Sequence, residues 1–178
     1  MPVLFFAAFC FASFGWAMAG HFRPSGRPPG ITFVTAALGA IFTGQHLWAL
    51  YQGPVRLPGS GTLLYCASAV LFWWAIRVTR GRGFGVIHQA HCPQSIVAAG
   101  PYRMIRHPFY ASYLLAWIAG FVATASPALA LAAPLMGALY LHAALREEKE
   151  FGGGALAADY RSYMRATGRF LPALWPRR

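Results

Sequence analysis

Long apolar runs dominate the chain, and short polar segments rich in glycine and proline separate them. Each run approaches the roughly 20 residues that an α-helix needs to cross a bilayer. The five runs cover Pro2–Gly20, Ile31–Tyr51, Thr62–Thr79, Pro108–Ala125 and Pro127–Leu145. This pattern predicts an all-α integral membrane protein with about five transmembrane helices.

The two C-terminal runs are separated only by Ser126 and Pro127, which predicts a tight helical hairpin. Beyond it, residues 155–165 place apolar side chains near one face and arginines on the other. This spacing is typical of a short amphipathic helix that lies at the membrane interface. We expect a single membrane domain, residues 1–178. Its parts are three N-terminal spans, a cytoplasmic loop, the hairpin and a cytoplasmic tail, over residues 1–79, 80–107, 108–145 and 146–178.

Composition narrows the class of protein. Apolar residues make up 57% of the chain and charged residues 11%, against roughly 45–50% and 25% in an average soluble domain. Disorder is therefore excluded, and a water-soluble globule is disfavoured. The net charge of +11 would suit a nucleic acid, but the basic residues lie between apolar runs and form no single patch. We expect membrane lipids, and no nucleic acid, as partners.

The basic residues also predict the orientation of the chain. With the N-terminus outside, every basic residue except Arg56 falls in a cytoplasmic segment, as the positive-inside rule requires. The first run resembles a signal peptide, because Ala17–Ala19 has the composition of a cleavage site. However, Arg23 and Arg27 follow the apolar run and no basic residue precedes it, so we expect a retained helix.

Metal binding is disfavoured by the spacing of the candidate ligands. His88, His91 and Cys92 are ligand types, but their spacing is uncommon in metal sites and no second ligand pair is evident. Cys10 and Cys66 lie in apolar runs, where a free cysteine behaves as a small hydrophobe. We therefore expect neither a bound metal nor a disulfide framework.

Residues capable of chemistry fall in two segments on the predicted cytoplasmic side. The first runs from His88 to Tyr110 and contains His107-Pro108, a typical helix start whose free amides favour an anionic group. In the second segment, Glu147 and Glu148 stand where an apolar helix leaves the membrane, and carboxylates there oppose the helix dipole. Either this helix continues into water or a cationic partner compensates the carboxylates.

Each of these residues also has a simpler interpretation. Arg106 and its neighbouring arginines are typical topology charges, and Glu147 alone suits a surface position. Tyr102 and Tyr110 suit an interfacial belt of aromatic residues. Taken together, the residues predict a cytoplasmic-side site, but their spacing names no reaction.

Three elements of the C-terminal half form a combined motif. They are the segment Gly100–Tyr110, the pair Glu147-Glu148 after the hairpin, and residues 160–163 followed by Pro172. This combination resembles the isoprenylcysteine carboxyl methyltransferase family, whose wider group includes phospholipid N-methyltransferases. The resemblance covers about Gln89 to Pro172, and its specificity comes from joining the first two elements across a hairpin.

The resemblance implies a membrane enzyme that transfers a methyl group from S-adenosylmethionine to a lipophilic acceptor, either a carboxylate, a thiol or an amine. A carboxylate such as Glu147 suits the cationic groups of this cofactor, and aromatic rings suit its adenine or its sulfonium. Carried over position by position, the cofactor contacts would be Gln89, Gln94, Ser95, Ile96, Val97, Tyr102, His107, Pro108, Phe109, Tyr110 and Glu147.

The residues expected to contact the methyl acceptor differ from the family pattern. The eukaryotic enzymes place a substrate-contacting arginine four residues before the first glutamate, where this chain has Ala143. His142 or Arg146 would substitute for it as a catalytic residue, and His142 is the candidate base for a thiol or amine acceptor. Two alternatives stay open: a membrane reductase of the sterol-reductase type, which resembles the same elements and uses NADPH, and a non-enzymatic membrane protein on the same fold.

The charge pattern predicts that the N-terminus and Arg56 lie outside the cell and that the C-terminus lies in the cytoplasm. Cysteine-accessibility labelling of intact cells should therefore reach a cysteine introduced at Arg56 and should not reach one in a C-terminal tag. Labelling of the C-terminal tag from outside would refute this orientation.

Overall fold

The computed structural model describes residues 2–22, 30–80, 96–153 and 156–173. The described residues are 82% helical, which confirms the predicted all-α class. The helices are α1 (Pro2–Gly20), α2 (Gly30–Gln52), α3 (Pro58–Thr79), α4 (Pro108–Thr124), α5 (Pro127–Ala130), α6 (Ala132–Gly153) and α7 (Ala157–Ala166), with a 3₁₀ turn at Gly100–Arg103.

Four stretches of the described residues are long and apolar enough to cross a membrane. They are α1, α2, α3 and the stretch Pro127–Gly153, which α5 and α6 form together. Helix α4 is also apolar but has 17 residues, and at 1.5 Å per residue it is about 26 Å long, slightly less than a typical hydrocarbon core. The chain is therefore a multi-pass membrane protein, and the fourth predicted span is the shortest of its long apolar helices.

The predicted hairpin between the last two apolar runs is present. Helix α4 ends at Thr124, and the next residue, Ala125, adopts the left-handed conformation with φ of 52°. Pro127 then begins α5. The helix is then interrupted at Leu131. Pro134 explains this interruption, because it has no amide to donate to the Ala130 carbonyl and its ring crowds that oxygen.

Helix α4 lies at the centre of the bundle and packs closely on α3. The Ser68 hydroxyl donates to the Ser112 carbonyl oxygen at 2.7 Å. Nearer the start of α4, the Phe72 ring packs edge-on against Phe109, with centroids 5.6 Å apart. These contacts fix the first turn of α4, where the sequence predicts site residues.

The tail folds back onto α6. Helix α6 extends beyond Leu145, the predicted end of the hairpin, so the acidic residues that follow are helical. The rings of Phe151 and Tyr160 stack with centroids 4.4 Å apart. Helix α7 matches the predicted amphipathic helix, with Arg161 and Arg165 exposed, but part of its apolar face packs on protein.

A histidine is completely buried where α2, α3 and α4 meet. His46 of α2 is 0% exposed, and its Nε2 lies 3.2 Å from the Trp117 carbonyl oxygen. A Cβ added at Gly120 would lie 2.6 Å from His46 Nε2 and 3.0 Å from the Tyr65 hydroxyl. The close approach of these helices therefore requires glycine at this position.

Replacing Gly120 with alanine should destabilise the protein by about 1–3 kcal/mol, because the added methyl group overpacks the His46 site. Gly15→Ala is the matched control, since nothing lies within 4 Å of a Cβ at that helical glycine and alanine is the better helix former. Unfolding of the purified variants in detergent measures the difference. Equal stability of Gly120→Ala and the parent protein would contradict this packing.

Candidate functional site

Two segments that are distant in sequence lie side by side at one end of the bundle. The residues before α4 form a short parallel bridge with the residues after α7. The Arg106 amide donates to the Gly168 carbonyl oxygen at 2.8 Å, and the His107 amide donates to the Arg169 carbonyl oxygen at 3.1 Å. This pairing holds the C-terminal segment against the start of α4.

A buried glutamate connects both segments to α6. The Glu148 side chain is only 6% exposed. It accepts hydrogen bonds from Arg106 Nε at 2.9 Å and from Arg169 Nε and Nη2 at 3.0 and 2.7 Å. His107 Nε2 lies 3.3 Å from the same carboxylate. We call Arg106, His107, Glu148 and Arg169 the Glu148 cluster.

Arg106 also holds the end of α7. Its Nη1 donates to the Met164 carbonyl oxygen at 3.2 Å and to the Thr167 carbonyl oxygen. The side chain is 8% exposed, so the interpretation of Arg106 as an ordinary topology charge is wrong. Its position among arginines that are predicted to be cytoplasmic concealed this role, because positive-inside charges and a buried ion pair look alike in a sequence.

The neighbouring glutamate has a different environment. The Glu147 side chain is 33% exposed, and its Oε2 lies 3.4 Å from His107 Nδ1. The Tyr110 hydroxyl donates to its Oε1. Within the described ranges, no arginine or lysine forms an ion pair with Glu147. In the part of the chain that the structure describes, arginines therefore pair with only one of the two adjacent carboxylates, and the partners of the other are His107 and Tyr110.

His107 lies between the two carboxylates. It directly precedes α4, but its side chain makes no capping hydrogen bond. Burial lowers the pKa of His107, whereas the hydrogen bonds and charges of Glu147 and Glu148 raise it, and together they bring this pKa above its usual value of 6.5. When protonated, the ring can donate to both carboxylates at once.

Aromatic rings border the carboxylates. The Tyr110 ring stacks on His107 and on Tyr140, with centroids 5.5 Å apart in both pairs. The Phe170 ring stands edge-on to His107 at 6.1 Å and to Tyr110 at 6.5 Å. Phe170 is not among the predicted site residues, because spacing alone does not show where the tail folds.

The other predicted contact residues of this region lie close to the first turn of α4. Tyr102 is buried in the 3₁₀ turn, and its carbonyl oxygen accepts a hydrogen bond from the Tyr163 hydroxyl at 2.7 Å. Pro108 is buried in the first turn of α4. Phe109 packs on the Phe22 ring, with centroids 5.1 Å apart.

The remaining predicted residues of the described ranges lie in the segment before the 3₁₀ turn and on α6. Ile96 and Val97 are partly buried in the segment before the 3₁₀ turn. His142 is exposed on α6, and Arg146 pairs with Glu150 one turn away at 3.5 Å. By helical periodicity, His142 and Arg146 lie on another face of α6 from Glu148. Residues outside the described ranges include the predicted contacts Gln89, Gln94 and Ser95, and also His88, His91 and Cys92.

Comparison with known proteins identifies the family. A sequence model of the phospholipid methyltransferase family matches residues 59–153, more than half of the chain, so the chain belongs to this family. The family falls in one group with the isoprenylcysteine carboxyl methyltransferases, which confirms the resemblance carried by the three motif elements. No curated protein matches the chain. The chain is therefore, in general terms, a membrane methyltransferase.

The environment of His107 predicts a pH-dependent stability. Because the pKa of His107 is raised by folding, its stabilising contribution is complete below about pH 6.5 and is lost as the pH rises through the folded-state pKa. The stability difference between the parent protein and His107→Asn should therefore shrink as the pH rises. Thermal unfolding in detergent from about pH 6 to about pH 9 measures this difference. A difference that grows with pH would contradict the assignment.

Proposed function

We propose that this membrane methyltransferase transfers the methyl group of S-adenosylmethionine to a lipophilic acceptor that reaches the site from the bilayer. The observation that carries the proposal is the partly exposed carboxylate of Glu147, held between His107 and Tyr110 beside the buried Glu148 cluster. Members of this family typically use S-adenosylmethionine. This cofactor carries a cationic amino group, a cationic sulfonium and a carboxylate.

The residues around Glu147 fit these groups. The Glu147 carboxylate complements the amino group or the sulfonium, and the neighbouring Tyr110 ring offers a cation–π contact. The N-terminal end of α4, with its helix dipole, and the cationic side of the Glu148 cluster complement the carboxylate of the cofactor. Tyr102 and Pro108 supply buried surface beside these polar groups.

Methyl transfer from a sulfonium requires little acid–base chemistry from the protein. The sulfonium of the bound cofactor supplies an activated methyl group, so the protein's task is orientation and exclusion of water. The Tyr110 hydroxyl and the His107 ring fix both oxygens of Glu147. The Glu148 cluster in turn fixes the His107 ring and the C-terminal segment. These contacts preorganise the binding groups before the cofactor arrives.

The residues that act on the methyl acceptor are part of the same proposal. Ala143 is fully buried one turn before Glu147, so the position that resembles the arginine of the eukaryotic enzymes supplies no charge. We propose that His142 and Arg146 act on the acceptor side and that His142 removes the proton from a thiol or amine. A carboxylate acceptor needs no base. In the proposed orientation, the cofactor approaches from the cytoplasm.

Binding of labelled S-adenosylmethionine and of labelled NADPH to the purified protein tests the proposed function. We expect saturable binding of S-adenosylmethionine, competed by S-adenosylhomocysteine, and no saturable binding of NADPH. A methyl-transfer reaction on lipid extracts, read by mass spectrometry, then identifies the acceptor. Selective binding of NADPH would indicate a reductase instead, and binding of neither would favour a non-enzymatic protein.

His107→Asn separates a binding role from a role in starting the helix. Asparagine caps helices at least as well as most residues, so a helix-start role would leave function intact. If His107 contacts the cofactor, its replacement should weaken S-adenosylmethionine binding at least about tenfold, the scale of one lost hydrogen bond. Calorimetry on the folded variant measures the affinity, with Tyr110→Phe as the companion that removes only a hydroxyl. Normal affinity in His107→Asn would remove His107 from the site.

A further inference from the structure

The C-terminal segment brings an aromatic ring to the partly exposed carboxylate. Phe170 lies after α7 and outside the residues that match the family. Its ring contacts His107 and Tyr110, which are also the two partners of Glu147. The ring therefore borders the same site from a part of the chain that lies beyond the family match, at a position that is not among the predicted cofactor contacts.

The position of Phe170 is fixed by its neighbours. The preceding residue, Arg169, donates two hydrogen bonds to Glu148, and the Arg169 carbonyl oxygen accepts one from the His107 amide. The next residue, Leu171, is 78% exposed. The backbone on the N-terminal side of Phe170 is thus anchored, and its ring turns toward the site while the Leu171 side chain turns away.

The aromatic rings and the carboxylate next to Phe170 suit a positively charged organic group. The Phe170 and Tyr110 rings stand at 77° to one another, and the Glu147 carboxylate lies beside Tyr110. Aromatic rings next to a partly exposed carboxylate attract organic cations, because the negative ring faces and the carboxylate both favour positive charge. Phe170 carries no polar group, so its contribution to such a site would come from its ring.

We propose that Phe170 is a cofactor-contacting residue and that its ring, with Tyr110 and Glu147, recognises the positively charged sulfonium of S-adenosylmethionine. This inference rests on the proposed function. It assigns the C-terminal segment a direct part in binding, in addition to its ion pair with Glu148. It also predicts that the site distinguishes the charged cofactor from its neutral thioether product, S-adenosylhomocysteine.

Phe170→Leu tests the proposal, because leucine keeps an apolar side chain and removes the ring. Calorimetry should show a loss of about 3- to 10-fold in affinity for S-adenosylmethionine, the range of a cation–π contact. Affinity for S-adenosylhomocysteine, which lacks the sulfonium charge, should change by less than about twofold. Phe170→Tyr should retain the parent affinities, and Leu171→Ala is the matched control with an exposed side chain.

The outcomes are distinct. Equal losses for both ligands in Phe170→Leu would overturn the proposal and reduce Phe170 to packing, as would no loss for either ligand. If Phe170→Leu does not fold, the decisive comparison is Phe170→Trp with the parent, where a larger ring should preserve the preference for the charged ligand. A parent protein that binds S-adenosylmethionine with no preference over the thioether contradicts this inference alone. A parent protein that binds neither contradicts the proposed function as well.

Discussion

The arrangement of the site depends on one buried carboxylate. Glu148 stands on α6, and its partners come from the segment before α4 and from the segment after α7. A buried charge is stable only with charged or strongly polar partners around it, and removing one partner leaves a costly unpaired ion. The three segments are therefore held together by an electrostatic requirement, and the backbone bridge at Gly168 reinforces it.

This constraint gives the two adjacent glutamates different roles. Glu148 accepts hydrogen bonds from two arginines, whereas Glu147 contacts a histidine and a tyrosine and stays one-third exposed. Helical geometry separates consecutive side chains by about 100°. Glu148 can therefore point into the cluster while Glu147 stays partly exposed. The pair of glutamates thus supplies a structural anchor in Glu148 and, in the proposed function, a binding group in Glu147.

The sequence predicts the helices better than it predicts the cluster. Apolar runs and Pro127 were sufficient to place the hairpin, because the length of a membrane helix and the chemistry of proline are local properties. The motif also identified His107, Tyr110 and Glu147, which the structure brings together. Nothing local distinguishes Glu148 from Glu147.

The roles of Arg106, Arg169 and Phe170 depend on the path of the tail. That path is set by contacts between residues about 60 positions apart, such as the hydrogen bond from Arg106 to the Thr167 carbonyl oxygen. In the sequence, these arginines are indistinguishable from the charges that orient a membrane protein. Only the folded chain shows that two of them neutralise a buried carboxylate.

Thermal unfolding of Glu147→Gln and Glu148→Gln, each with and without S-adenosylmethionine, tests the central claim most directly. For Glu147→Gln we expect near-parent stability without cofactor, with affinity reduced roughly 10- to 100-fold by loss of a charge-assisted contact. For Glu148→Gln we expect a loss of about 3 kcal/mol without cofactor, because Arg106 and Arg169 lose their buried partner. The reverse pattern, with Glu147→Gln unstable and Glu148→Gln stable but unable to bind, would contradict the account.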